Sequence, residues 1–279
     1  MKKIALFMCL CSGLFWACSD FKVTTTDDGD RIQYLVDEDG ETAKEGDMVT
    51  FDLLLRDQND TTYRDTFKDG EPLQLNAMKG MGKGTFENAI FHLSKGDSAI
   101  VFVNVDSIFS KMQQPLPPGI TAGSDLRFIV KVRDVMNPEQ FTASLEKKRE
   151  AEVANIKEYV AKNLAGADTL EQGVYYKVLN PGSGSMPERG NTVVVNYEGR
   201  LFDGNIFDQT RPGDSPFEFA VGTGAVIRGW DIVLMKMKKG EKATVVIPSA
   251  VAYGDRGAGG RIAPFTPLVF DIELVDIKK

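Results

Sequence analysis

The feature that most constrains this chain is a repeat. Laid over itself with a shift of 144 residues, the second half places Gly190 on Gly46, Pro216 on Pro72, Gly224 on Gly80 and Gly240 on Gly96. Trp230 falls on Phe86 and Tyr253 on Phe109, and the run from Gly46 to Ser110 needs no gap. After a small length change, Leu268-Val269-Phe270 falls on Leu126-Arg127-Phe128, and Asp276-Ile277 on Asp134-Val135. Glycines mark turns and apolar residues mark core, so their joint recurrence means that one fold is built twice. A length of 279 residues also suits two domains.

Both copies carry the same coarse elements. Val193, Val195 and Tyr197 alternate with their neighbours as a half-buried strand does, and Val49, Phe51 and Leu53 do the same in the first copy. Asp203-Gly204 is a hairpin turn signal, replaced by Asn59-Asp60. Phe217 and Phe219 flank Glu218 on another short strand. Trp230, Val233, Leu234 and Met237 recur at helical spacing, which predicts one helix packed on a sheet and closed by Lys239-Gly240. Ala243 to Ile247 and Leu268 to Ile277 complete that sheet, with Phe270, Ile272 and Leu274 on one face. Between the copies, Asn137-Pro138-Glu139-Gln140 has the cap, the first-position proline and the glutamine of a helix start. The helix runs to about Leu164, with Gly166 as its stop and Val153, Ile156, Val160 and Leu164 as a narrow apolar stripe. This linker, residues 137–171, either lies on one of the domains or serves as a dimer contact or polypeptide-binding arm.

The N-terminus follows other rules. Lys2-Lys3 precedes a short apolar run, Ile4 to Trp16, too short for a spanning helix but suited to a secretory signal over residues 1–17. The pair Ala17-Cys18 resembles a bacterial lipoprotein cleavage site, making Cys18 the expected lipidation point; plain secretion with cleavage near Ala17 is the alternative. No cysteine follows Cys18, so no disulfide is expected even outside the cytosol. Residues 18–31 read as a flexible tether whose aspartates lack the spacing of a calcium loop. The formal net charge of −7 and the lack of a basic block argue against a nucleic-acid partner. The single histidine, His92, cannot build a zinc set or a serine-hydrolase triad. Gly80-x-Gly82-Lys83-Gly84-Thr85 lacks the ending of a phosphate loop.

In the second copy an aromatic and polar series runs Tyr197, Phe207-Asp208, Phe217, Val226-Ile227-Arg228-Gly229-Trp230, Ala252-Tyr253-Gly254, Ile262 and Phe270. Any one of these residues reads most simply as core. Together, their order and spacing closely resemble the FKBP family of peptidyl-prolyl cis-trans isomerases. The resemblance implies an α+β fold of two FKBP-like domains, 32–136 and 172–279, each an antiparallel β-sheet wrapped on a short α-helix. It implies isomerisation of prolyl bonds without metal or cofactor. Trp230 would be the floor under the proline ring. Phe207, Phe217, Val226, Ile227, Ile262 and Phe270 would bind substrate, and Tyr197, also a wall, would act with Asp208, Trp230 and Tyr253 as the catalytic set. The Ile227 N–H and the Tyr253 hydroxyl would hold substrate carbonyls, and Asp208 would steady Tyr197 and act electrostatically near the twisting amide. Together with the Cys18 signal it implies an envelope protein, lipid-anchored at the outer membrane and facing the periplasm or the surface. Its partners would be proline-containing unfolded or exported polypeptides, with a homodimer as a further assembly. The rival expectation is a non-catalytic holdase for unfolded chains.

Departures from the family pattern are local. Ala225 replaces a common Glu, Ala258-Gly259 a bulkier pair, and Arg261 and Ala263 apolar residues, which bears on substrate preference. In the first copy, Tyr197 becomes Leu53, Asp208 becomes Arg64, Phe217 becomes Leu73, Val226-Ile227 becomes Gly82-Lys83, and Tyr253 becomes Phe109. Tyr63 replaces Phe207 and Phe86 replaces Trp230, while Phe128 holds the place of Phe270. A folded but inactive domain is expected there.

Overall fold

The computed structural model describes residues 22–80, 82–112, 115–117, 119–211 and 213–278. The signal segment and Cys18 lie outside them. The chain divides into two compact units, one ending at Asn137 and the other starting at Pro138.

The first unit contains β1 (Thr24–Thr25), β2 (Arg31–Val36), β3 (Met48–Arg56), β4 (Thr62–Asp65), α1 (Thr66–Asp69), β5 (Leu73–Asn76), α2 (Phe86–Ala89), β6 (Ser98–Asn104), α3 (Val105–Met112) and β7 (Asp125–Met136). Its antiparallel sheet has the order β1-β2-β6-β7-β3-β4, with β5 also on β3. The second unit contains α4 (Pro138–Asn163), β8 (Asp168–Thr169), β9 (Tyr175–Asn180), β10 (Thr192–Arg200), β11 (Ile206–Gln209), β12 (Phe217–Ala220), α5 (Arg228–Leu234), β13 (Lys242–Ile247) and β14 (Leu268–Lys278). Read from β8, its order is β8-β9-β13-β14-β10-β11, with β12 on β10. The two sheets therefore have one topology. Even the irregularities recur: the register slips between Thr50 and Phe51 in one sheet and between Val194 and Val195 in the other. A bulge held at the same place in both copies bends the long strand at the same place.

The repeat reaches further back than the glycines indicate. Strands β1 and β2 lie 144 residues before β8 and β9. Part of the segment expected to be a tether is therefore sheet: Thr24 pairs with Ile32, and Asp30 is 1% exposed. The Asp28 carbonyl accepts the Gly84 N–H at 3.2 Å. Composition read this stretch as polar and loose, whereas its backbone groups find partners in the sheet and in the loop before α2. Likewise β8 falls inside the stretch read as linker and pairs with Tyr175 and Tyr176.

In the second unit, alternate residues of β13 and β14 serve two layers, as a period of two requires. Ala243, Val245, Ile247, Leu268, Phe270, Ile272 and Leu274 face a core shared with α5. Val246 and Val269 form a smaller cluster with Ile156 and Leu164, so α4 packs on this domain. The apolar stripe read along α4 is off by one position at its start: Val153 is exposed, and Glu152 is buried instead. Helix α5 ends at Leu234, earlier than Gly240, and Met237 reaches the core from the turn that follows.

Gly229 sets how closely α5 approaches the sheet. A β-carbon there would lie 2.3 Å from Ile247 Cγ2. Replacement Gly229→Ala should lower the stability of the second domain by about 1–3 kcal/mol, the usual cost of overpacking. Urea unfolding followed by Trp230 fluorescence measures this, and an unchanged midpoint would refute the close approach.

Candidate active site

The short helix α5 places Trp230 in its first turn, and every residue from Gly229 to Leu234 is buried. Trp230 is 4% exposed, and its ring is met mainly by edges. Tyr197 stands at 4.9 Å and 83°, Phe270 at 5.3 Å and 85°, and Phe217 at 6.3 Å and 69°. Phe219 adds a fourth ring at 5.9 Å, tilted by 47°. Edge-to-face packing sets the positive edge of one ring against the negative face of another. It also leaves room above the ring: a cavity of about 310 Å³ is lined by Tyr197, Phe207, Asp208, Phe217, Ala225, Val226, Ile227, Trp230, Tyr253 and Phe270.

Each wall is set by its element. Tyr197 comes from β10, Phe207 and Asp208 from the hairpin strand β11, Phe217 from β12 and Phe270 from β14. Phe207 meets Phe270 edge-on at 5.6 Å and 90°, over Gly199. A β-carbon on Gly199 would fall 2.6 Å from Phe270 and 2.8 Å from Phe207, so only glycine lets these rings meet. The loop before α5 is held by Asp231, whose carboxylate accepts the N–H groups of Gly222 (2.7 Å) and Gly224 (3.2 Å). Ile227 is the N-cap of α5, so its N–H stands outside the helical ladder, and the residue lines the cavity.

The polar side of the cavity is formed by Tyr197, Asp208 and Tyr253. The Tyr197 hydroxyl donates to the Asp208 carboxylate at 2.7 Å. Burial first, then that bond and the Asp208 charge, push the Tyr197 phenol far above its ordinary range. Burial and the same charge raise Tyr253, which is about two-fifths exposed. Both phenols thus stay protonated at neutral pH, and Tyr253 remains a donor at the cavity wall. Among the described residues no cluster of His, Cys, Asp and Glu is arranged to hold a metal ion.

Of the residues singled out in the second domain, Ile262 is the one that does not line this cavity. It is 6% exposed, belongs to the core, and pairs with Ala258 across a tight loop. The Ala258 N–H donates to the Ile262 carbonyl at 2.8 Å, and the Ile262 side chain packs in the cluster that holds Trp230 and Phe270. Arg261 instead reaches the rim, donating to the Phe207 carbonyl at 3.4 Å.

The corresponding region of the first domain is built differently. Phe86 and Phe128 stack face to face at 4.7 Å and 18°, with Phe51 in the place of Val195 tilted against Phe86 at 5.5 Å. Thr85 caps α2, so this helix begins at the aromatic residue itself. Lys83 donates to the Asp27 carbonyl at 3.2 Å, which ties this loop to the chain's own N-terminal turn. Arg64 pairs with Asp69 at 3.6 Å, and Tyr63 donates to Asp57 at 3.2 Å.

Replacing Asp208 by Asn removes the charge that disfavours tyrosinate. The Tyr197 phenol should then titrate at lower pH, nearer its ordinary value of about 10. Tyrosine-labelled NMR across an alkaline titration reads this, and an unmoved Tyr197 would contradict the pairing.

A family profile described as "FKBP-type peptidyl-prolyl cis-trans isomerase" matches residues 39–133 and 184–275. The chain is 43% identical over 112 residues to the FKBP-type 22 kDa peptidyl-prolyl cis-trans isomerase of Escherichia coli, covering 40% of this chain and 53% of that one. It is 42% identical over 112 residues to FK506-binding protein 1 of Candida glabrata, covering 40% of this chain and 98% of that one. It is 36% identical over 140 residues to the "Outer membrane protein MIP" of Legionella longbeachae, covering 50% of this chain and 59% of that one. The chain spans about half the length of the first bacterial relatives it matches. With one profile matched in each half and one sheet topology built twice, this chain belongs to the FKBP-type peptidyl-prolyl cis-trans isomerase family.

Proposed function

We propose that the second domain catalyses cis-trans isomerisation of X-Pro bonds in polypeptides, at the cavity floored by Trp230. One observation carries the reading: an aromatic-lined cup of about 310 Å³ with the Tyr197–Asp208 pair and Tyr253 among its walls. An X-Pro bond turns slowly because its amide keeps double-bond character, with a barrier of about 20 kcal/mol. No nucleophile is needed; the site must favour the twisted amide over the planar one. Twisting removes resonance, so the carbonyl oxygen carries less negative charge and tolerates a dry aromatic site better. Trp230 takes the proline ring, and Phe207, Phe217, Val226 and Phe270 exclude water. The Ile227 N–H and the Tyr253 hydroxyl hold carbonyls on either side of the bond. Asp208 orients Tyr197 and contributes its field at the rim. A rate gain of about 10⁵-fold needs about 7 kcal/mol of differential stabilisation, within reach of desolvation and a few preorganised hydrogen bonds.

The first domain is proposed to be inactive, because its rings stack on each other and Arg64 replaces Asp208. A second reading gives it a holdase role, favoured by the exposed Tyr63, Phe67 and Met78 on its surface. The protein is further proposed to be a lipoprotein of the cell envelope, acylated at Cys18, acting on exported chains. The N-terminal sequence supports this, as does the printed name of the Legionella relative. No helix among the described residues is long and apolar enough to cross a membrane.

In a short X-Pro peptide assay, Trp230→Ala should lower kcat/KM by roughly ten- to a hundredfold, about 1.4 to 3 kcal/mol of transition-state stabilisation. Phe86→Ala in the first domain should leave the rate unchanged. A folded wild-type chain that does not accelerate the exchange would refute the proposal. Suppression of aggregation of a proline-free polypeptide, unaffected by Trp230→Ala, would identify the holdase role. Mass analysis of the mature chain should find an acylated Cys18; an unmodified N-terminus there would refute the anchor.

A further inference from the structure

The region matched by the family profile in the second half begins at residue 184, after α4 has ended. Yet α4 buries a carboxylate in this domain. Glu152 is 7% exposed, and both its oxygens are used by one residue. The Ser249 N–H donates to Oε1 at 2.6 Å, and the Ser249 hydroxyl donates to Oε2 at 2.7 Å. Ser249 is 2% exposed and opens the 3-10 turn Ser249–Val251 that leads into Tyr253. That turn has no side-chain cap of its own, so Glu152 supplies one from a distant helix.

The bonds continue to the cavity. The Ser249 carbonyl accepts the N–H groups of Ala252 and Gly254, both at 2.8 Å. Tyr253 thus lies between two anchors on one carbonyl. The Gly254 carbonyl accepts the Phe265 N–H at 2.9 Å, closing the loop that includes Arg261. Lys148, one turn before Glu152, lies 5.8 Å from the Phe265 ring centroid. One face of α4 therefore touches both feet of the 253–265 loop. The apolar contacts of Ile156 and Leu164 with Val246 and Val269 fix the helix that carries these groups.

We infer that Glu152 is a positioning residue for the candidate site: through Ser249 it holds the turn that places Tyr253 on the cavity wall. This rests on the isomerase reading only for its effect on rate. The carboxylate suits the task because it presents two acceptors to two donors of one residue, and a buried charge-assisted pair of bonds resists competition from water. Glutamine keeps one acceptor for the N–H, and the serine hydroxyl can rotate to accept from its amide.

The test uses the full chain with Glu152→Ala, Glu152→Gln and Ser249→Ala. Amide hydrogen exchange of Ala252, Tyr253 and Gly254 reports the turn, and the X-Pro peptide assay reports the rate. Glu152→Ala should speed exchange at Ala252 and Gly254 by roughly tenfold while exchange within β13 and β14 stays unchanged. It should lower kcat by about tenfold with KM little changed, since the apolar cup is intact and only the polar anchor is displaced. Glu152→Gln should recover most of both. Unchanged exchange at residues 252–254 in a folded Glu152→Ala chain overturns the inference. So does a loss of activity that only matches the unfolded fraction. If Glu152→Ala does not fold, Ser249→Ala decides, and unchanged exchange at Ala252 and Gly254 overturns the inference. If the wild-type chain proves inactive, the isomerase reading fails separately and the exchange comparison alone decides the role of Glu152.

Discussion

The second domain is organised around the approach of one short helix to one sheet. Gly229 lies against Ile247 with no room for a side chain, and that contact lowers the start of α5 onto the sheet. Trp230, the next residue, is thereby sunk among four aromatic rings from three strands, β10, β12 and β14. The Asp231 clamp on Gly222 and Gly224 then fixes the loop that brings Val226 and Ile227 to the mouth. Cavity, floor and the placement of Ile227 at the helix cap all follow from where the helix begins.

The first domain shows what happens when that start is moved. Thr85 stands in the place of Gly229 and caps the helix with its own side chain, so α2 begins two residues later in the repeat than α5 does. The aromatic residue is now smaller, and Phe51 supplies bulk where the second domain has Val195. Two rings stack flat against each other, and the preceding loop bonds to the chain's own N-terminal turn. The fold survives because the same positions remain apolar and the bulged long strand is retained. One topology thus carries two different local arrangements, and the differences lie at the helix start and at the polar positions of the wall.

The N-terminal strand and α4 extend each unit beyond its most recognisable part. Thr24–Thr25 and Asp168–Thr169 are short, polar and without an apolar pattern, so only their partners identify them as strands. Glu152 was illegible for a related reason. A charged residue on a charged helix reads as solvated, and its neighbour Val153 fits the apolar stripe better. What buries Glu152 is Ser249, nearly a hundred residues away, whose N–H and hydroxyl need an acceptor. Ile262 packs in the core behind the cavity lining; spacing marks the loop it belongs to but not how deeply that loop is buried.

The amino-acid sequence by itself determined the repeat, the strands and helix of each copy, and the set of residues that meet around Trp230. Those depend on periodicity, on turn residues and on the order of aromatic and polar groups along the chain, all of which are local. Only the tertiary structure decided that the rings of the second domain meet edge-on while Phe86 and Phe128 stack, that residues from Thr24 onward join a sheet, and that α4 inserts a carboxylate beneath the Tyr253 turn. The physical reason is that these outcomes turn on the volume left by one glycine and on hydrogen-bond donors far away in sequence, which no local pattern records.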